Sequence, residues 1–581
     1  MIGAHSAAGG GTNRGETYLV YGQSNINPLS GSLDLADVGG TLAGAIFSGV
    51  ENYDHSGISV PAAGDVNGDG LDDLVIGADQ ADADGSNRGE TYRVYGQRGN
   101  HCRWIGPGSG HWDNSFNWST PSVPVPQDHV FIDPVNGLTV SGPTSATQMK
   151  SLTLGVHQAG TVNLLVDPAG DLLIDQALTI AAGGRLAGSG TVTAVGGITN
   201  QGEIDLGSQG LYVAGGAVTN TGLVRGGGTI DNALVNSTGG EVRVAAGQRM
   251  HLTNSGDQFS EGRIDVVGNA TQAAEIEFDG ELTNNKITGN IAASHATLRF
   301  NGGLTNHGDV RVSFGTSNVF GDIDNSEGTI IVSGTSNVTF YDDLVNNGVM
   351  KVSKGSTAVY FGSVTGGDNF TGSGTNFFEG SLSPGNSPAG IRFGGDVVLG
   401  TGSATLIELA GTDAGEYDQL LIAGNLEVGG QLNVNLLDGF APEAGDLFDI
   451  LDFATLSGSF AAMNLPVLGG GLAWDTSQLS VDGTLCAGAC IVPGSGDYNG
   501  NGVVDAADYT LWRDTLGSQL DLRADGTGDG MVDEADYVFW NDRFGNVIGT
   551  GSRVAVPEPA GGLLFTTGLV GLFWRRARRD G

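Results

Sequence analysis

Between about Gly196 and Ser353, apolar and polar residues alternate in short runs, and one phrase keeps returning between them. The phrase is an apolar residue or two, an Asn, often a Gly soon after, then another alternating run. It reads Ile198-Thr199-Asn200 with Gly202 and Val218-Thr219-Asn220 with Gly222, and it returns at Asn236, Asn254, Asn284, Asn306, Asn325 and Asn346. Successive steps are 20, 16, 18, 30, 22, 19 and 21 residues. Alternation of period two predicts strands, and a repeat near twenty residues without helical periodicity predicts a solenoid of strands. Asn and Gly tolerate the left-handed backbone expected at each corner, and the Asn side chains are expected to stack from coil to coil as an amide ladder. Hairpins with Asn-Gly turns, as in a β-sandwich, are the plainer alternative; a period sustained over eight phrases favours coils. Short strands at Leu164-Leu165-Val166, Leu172-Leu173-Ile174 and Leu178-Thr179-Ile180 start the coils at about Leu152.

Towards the start of the chain a different unit is duplicated. Residues 2–22 and 76–96 align at a constant offset of 74, with Asn-Arg-Gly-Glu-Thr-Tyr identical at 13–18 and 87–92. Between the copies, Asp65, Asn67, Asp69 and Asp73 offer oxygens at positions 1, 3, 5 and 9 of a loop turned by Gly70, with the Leu71 carbonyl available. That spacing suits a hard cation such as calcium; a solvated Asp/Gly turn is the alternative. Together with Phe47-Ser48-Gly49 and Ile76-Gly77-Ala78, residues 1–98 resemble the FG-GAP repeat of integrin-type β-propellers. A propeller needs several blades, and Met1 falls in mid-unit, so further blades and an export signal are expected upstream. Met1-Ile2-Gly3-Ala4 has neither the basic start nor the apolar core of a signal peptide.

Residues 99–150 read as a junction or cap, with Trp112, Trp118, Pro121, Pro124 and Pro126 leading into Val130-Phe131-Ile132. Packing in a cap is the favoured role for the two Trp, ahead of carbohydrate binding. Further on come Ser383-Pro384-Gly385-Asn386-Ser387-Pro388, Tyr417-Asp418-Gln419-Leu420, Gly429-Gly430-Gln431-Leu432 and Gly445–Leu451. These phrases resemble the C-terminal end of autotransporter-type passenger repeats, which extends the expected solenoid over 151–482. Catalytic solenoids need paired carboxylates with a basic partner in one groove. Asp342-Asp343, at a loop start, is the nearest case, which argues against catalysis here.

Residues 497–545 carry the most specific spacing. Asp497, Asn499, Asn501, the Val503 carbonyl, Asp505 and Asp508 occupy positions 1, 3, 5, 7, 9 and 12 of one loop. Asp525, Thr527, Asp529, the Met531 carbonyl, Asp533 and Asp536 repeat them 28 residues later. Each loop has Gly at position 6, as in an EF-hand loop, and each precedes one amphipathic helix, with Tyr509, Trp512 and Leu516 or Tyr537, Trp540 and Phe544 on its apolar side; Gly517 and Gly545 end the helices. One helix per loop resembles a type I dockerin. The resemblance implies bound calcium and a cohesin-like partner module, although Ala506-Ala507 lacks the hydroxyl pair that cellulosomal dockerins present to cohesin.

At the C-terminus, Val556-Pro557-Glu558-Pro559 precedes the largely apolar stretch Ala560 to Trp574, then Arg575, Arg576, Arg578 and Arg579. Fifteen residues fall short of the roughly 20 of a comfortable membrane span, and the arginines favour the cytoplasmic side. The order resembles a PEP-CTERM sorting signal, which implies cutting by an exosortase-type enzyme near Pro557-Glu558-Pro559; a plain tail anchor is the alternative.

Charge sharpens this picture. With 64 acidic against 25 basic residues, the net charge of −39 repels nucleic acid and fits an exported surface, cation sites, or both. Three cysteines are too few for a disulfide framework; Cys486 and Cys490 are spaced to pair across a short loop, leaving Cys102 odd. The expected fold is mainly β: a right-handed β-solenoid body at 151–482, a partial β-propeller at 1–98, the junction at 99–150, a small α dockerin-like calcium module at 483–550 and a transmembrane sorting segment at 551–581. The expected function is a calcium-binding structural or adhesive protein of the cell surface or matrix. The alternative is a dockerin-bearing component of polysaccharide breakdown, by glycan hydrolysis, lyase chemistry or docking to enzymes that do it. A polysaccharide or matrix ligand suits either.

Overall fold

The computed structural model describes residues 1–546 except 22–33, 41, 43, 65, 67–71, 83–87, 96–99, 121, 135, 156–160, 209, 287, 368–369, 386–387 and 489–494. The chain divides into two units, 1–441 with 448–467 and 479–484, and 442–447 with 468–478 and 485 onward.

In the first unit, alternation becomes a β-solenoid. The chain visits three rows of parallel strands in turn. Leu178–Ile180 lies in row A, Gly184–Gly188 in row B and Thr191–Ala194 in row C, and Ile198–Asn200 returns to row A one coil on, with Leu178 opposite Ile198. Among the described residues row A has 17 strands, from His101–Arg103 to Ala462–Asn464; row B has 16, from Gly110–His111 to Leu451–Asp452; row C has 15, from Ala146–Met149 to Thr455–Gly458. Every second side chain points inward, so Leu152, Leu164, Leu172, Ile180, Ile204, Val242, Ile276 and Ile330 are all fully buried. Each such residue contributes about 1.5–3 kcal/mol of transfer free energy. Aromatic residues stack inside as well, Tyr360 lying between Phe340 and Phe378 at ring-centre distances of 5.4 and 4.8 Å.

The Asn phrase does form a ladder. Asn200 Nδ2 donates to Asn220 Oδ1 at 2.7 Å, and Asn220 to Asn236 at 2.8 Å. Asn284 donates to Asn306 at 2.8 Å, Asn306 to Asn325 and Asn325 to Asn346, both at 2.7 Å. All seven are fully buried. Two expectations fail in detail. First, Asn254 is not a rung: it is half-buried and its Oδ1 accepts from the Gly256 amide. The rung is Ser260, which accepts from Asn236 Nδ2 at 3.1 Å. The steps about it become 24 and 24 residues in place of 18 and 30. Second, no rung Asn has a positive φ; the left-handed corners fall instead on residues such as His295, Phe314 and Thr335. The Asn is required for its side chain. The Gly two residues on is required for close stacking: a Cβ on Gly222 would lie 2.2 Å from the Gly202 carbonyl oxygen.

Coils also begin earlier than the apolar runs suggested, since His101–Arg103 and Gly110–His111 already pair in parallel with His129–Ile132 and Leu138–Ser141. The Trp residues of this stretch are core. Trp112 and Trp118 are 0% and 2% exposed with ring centres 4.8 Å apart, and Trp118 Nε1 donates to the Trp112 carbonyl.

Ahead of the solenoid lie two antiparallel sheets, Ile2–Ala4/Glu16–Val20/Gly44–Ser48 and Ser56–Ser59/Asp73–Ala78 with Ala62–Gly64 and Glu90–Val94. The duplication is structural: the Tyr18 hydroxyl donates to Glu16, and the Tyr92 hydroxyl to Glu90.

Candidate functional site

In the second unit, two loops of the same spacing each lead into a short helix, α1 (Ala506–Thr515) and α2 (Glu534–Asn541). Asp505 and Asp533 are the N-caps, and both make a capping box with the residue three on, Asp508 and Asp536. Those two acids therefore turn back over their loops. Asp508 accepts from the Asn499 and Asp505 amides at 2.9 and 2.7 Å. Asp536 accepts from the Thr527 and Asp533 amides at 2.9 and 2.8 Å. The first acid of each loop holds the other side. Asp497 accepts from Asn501 and Gly502 at 3.1 and 2.7 Å, Asp525 from Asp529 and Gly530 at 3.2 and 2.8 Å. Gly500 and Gly502, like Gly528 and Gly530, supply the positive φ the turn needs, between 70° and 87°.

The helices are joined reciprocally. Trp512 of α1 donates its indole N–H to the Asp533 carbonyl at 2.7 Å, and Trp540 of α2 donates to the Asp505 carbonyl at 3.1 Å. Each Trp thus braces position 9 of the opposite loop. Tyr498, Val504, Trp512, Ala524, Val532 and Trp540 form the core between them. Burial, joined by the neighbouring Asp497 charge, raises the Asp508 carboxyl above the usual carboxylate range, although backbone amides at Asp505 and Asn499 oppose it. By residue type, positions 1, 3, 5 and 12 of each loop could hold a hard cation: Asp497, Asn499, Asn501 and Asp508 in the first, Asp525, Thr527, Asp529 and Asp536 in the second; the structure brings positions 1 and 12 together, Asp497 neighbouring Asp508 and the Thr527 hydroxyl lying 3.4 and 2.9 Å from Asp525 and Asp536. Asp505 and Asp533, at position 9, spend an oxygen on the helix caps.

Of the other loop, Asp65, Asn67, Asp69 and Leu71 lie outside the described residues. Asp73 opens its strand, 1% exposed, and accepts from the Val66 amide at 2.9 Å, which closes the loop base. The sorting residues Val556 to Arg579 lie outside the described residues as well. Among the described residues no helix is long and apolar enough to cross a membrane. Cys486 is disulfide-bonded; the expected partner Cys490 is outside the described residues. Cys102 is buried, with its sulfur 3.1 Å from the Thr120 hydroxyl.

Sequence reasoning missed an acid–base ladder on the outer face of row B. Arg185 and Arg225, on coils either side, both hold Glu203 and Asp205, and Arg263 holds Asp265 at 2.6 Å. The signal was there: charges at i and i+2 on strands about twenty residues apart share one face. Asp342 and Asp343 serve as caps, accepting from the Gly321 and Ser363 amides, both at 2.7 Å.

The class defined by this architecture is a β-solenoid repeat chain preceded by blade-like antiparallel sheets. The FG-GAP repeat family matches residues 57–95, across the second of those sheets. Such repeats are typical of extracellular or cell-surface proteins and suggest an extracellular adhesion-type repeat protein. No curated protein matches the chain.

Proposed function

We propose that the chain is an exported, calcium-binding structural or adhesive protein of the cell surface or matrix, with the solenoid as a stiff spacer. The observation that carries calcium is the repeated loop: in each copy, carboxylates at positions 1 and 12 face one turn, with a brace from the opposite helix. Like charges gathered so closely repel until a cation neutralises them. By sequence spacing alone, Asp65, Asn67, Asp69, Leu71 and Asp73 would be a third calcium site. A protein module docking on the dockerin-like helices would meet the exposed Ala506, Ala507 and Thr510 on α1, two methyls where a hydroxyl pair would serve a cellulosomal cohesin. The C-terminal segment acts as a sorting signal, cut near Pro557-Glu558-Pro559.

Calorimetric titration of the full chain with calcium tests the first part. Heat for at least two sites, lost together in Asp508→Ala/Asp536→Ala, is the expected result; no heat refutes it. Mass spectrometry of the mature protein from its own host tests the sorting step, and an intact Arg579 on that product refutes cutting.

A further inference from the structure

We propose a binding site for a divalent transition-metal ion of the zinc type on the outer face of row C, held by His251, Glu277 and Asp279. The three side chains come from two adjacent coils. His251 lies directly opposite Glu277 in the parallel register, and Asp279 follows two residues later, on the same face. One ligand atom of each falls within 4.8 Å of the others. His251 Nε2 is 3.1 Å from Asp279 Oδ2 and 3.9 Å from Glu277 Oε2. A tetrahedral ion with bonds of about 2.05 Å sets its ligand atoms about 3.3 Å apart, between these two values. The imidazole selects against calcium, which takes oxygen ligands, and for a transition ion. The side chains of His251, Glu277 and Asp279 are 23%, 13% and 33% exposed, so an ion can reach them from solvent.

Neighbouring residues organise the same place. Asn301, on the next coil, donates to Glu277 Oε1 at 3.0 Å and to Asp279 Oδ1 at 2.9 Å. Those bonds fix the far oxygens of both carboxylates and leave Glu277 Oε2 and Asp279 Oδ2 turned to His251. One group competes: Arg249 pairs with Glu277 Oε2. It has a second partner in Glu275, 3.6 Å away, so it can give up Glu277 without losing an acid.

The location supplies a purpose. The amide ladder is interrupted between Ser260 and Asn284, where the buried Asn284 Oδ1 has no donor among the described residues. His251 precedes that interruption and Glu277 and Asp279 cross it, so a bound ion would clamp the two coils where the interior bonding lapses.

The test uses the full chain saturated with calcium, so that oxygen-only sites are filled, and titrates it with Zn2+ by calorimetry and Co2+ by visible absorption. One site is expected whose Zn2+ affinity falls at least tenfold in His251→Ala and in Glu277→Gln, with the Co2+ band lost in both. Arg249→Gln removes the competitor and is expected to raise the affinity several-fold. Zn2+ is also expected to raise the melting temperature of the wild type and not of His251→Ala, with circular dichroism spectra of His251→Ala and Glu277→Gln that match the wild type as the check on folding. Equal stoichiometry and affinity in wild type and His251→Ala, no Zn2+ heat at all, or weaker binding in Arg249→Gln overturns the site.

Discussion

The solenoid and the loop–helix pair at 497–541 solve the problem of order in opposite ways. In the solenoid each coil is a template for the next. Backbone ladders and buried Leu, Ile and Val columns repeat from turn to turn, and Asn rungs join the middle coils, so the loss of one contact is shared by its neighbours. The loop–helix pair has a core of six buried residues and helices of 10 and 8 residues, below the length at which a helix stands alone in water. Its carboxylates at positions 1 and 12 face each other across each loop, whereas in row B of the solenoid the acids are paired with bases, as Glu203 and Asp205 are with Arg185 and Arg225. A region of repeated contacts can carry its own stability. On the proposed reading, a bound cation would complete the small region of clustered charge.

Chelation is expected to have the largest effect, and on the loop–helix pair alone. At calcium a thousandfold above its dissociation constant, the ion would contribute about 4 kcal/mol to the loop–helix pair. EGTA is therefore expected to remove the small helical component of the circular dichroism spectrum and leave the strand signal intact. Loss of strand signal, or no change at all, would contradict the contrast.

A smaller effect is expected inside the ladder. Asn306→Leu leaves the buried Asn325 acceptor without its donor and should cost ~2–3 kcal/mol, seen as a lower urea midpoint for the strand signal. Because the coils share load, the m-value should stay unchanged. Asn254→Ala, off the ladder, is expected to cost under about 0.5 kcal/mol; equal losses for both would sink the reassignment of the rung to Ser260.

Ser260→Asn should act with the opposite sign. An Asn there can donate to the orphaned Asn284 Oδ1 and is expected to add about 1 kcal/mol. A loss would mean the narrow column has no room for the larger side chain.

The smallest effect is electrostatic. Burial raises the Asp265 carboxyl, against Arg263 and with a further push from Glu241. A raised carboxyl contributes stability that is full below the unfolded value and lost as the pH rises through the folded one. Wild type should thus lose ground to Asp265→Asn in melting temperature as the pH rises through the carboxylate range.

Much of this was legible in the chain alone, and for local reasons. Period-two alternation at twenty-residue spacing specifies parallel coils, because a slip of one residue would turn every Leu and Val outward. The paired loops were legible because a cation-type turn needs its oxygens and its Gly at fixed offsets, and the Trp of each helix fell at helical spacing from the loop. What the sequence could not show is which residues meet across coils. Asn254 and Ser260 both stand near a strand end, and Ser260-Glu261-Gly262 fits the same phrase as Asn200-Gln201-Gly202. Only the register of the preceding strands decides that Phe259 pairs with Val235 and so sets Ser260 beside Asn236. The same holds for His251, Glu277, Asp279 and Asn301, three of them more than twenty residues apart in sequence. Alternation determines the face a side chain occupies, because it is a property of the pleat. Insertions in the turns, such as those that stretch the Ser260 steps to 24 residues, change the count between coils without changing the pleat, so neighbours across coils are decided only once the strands have paired.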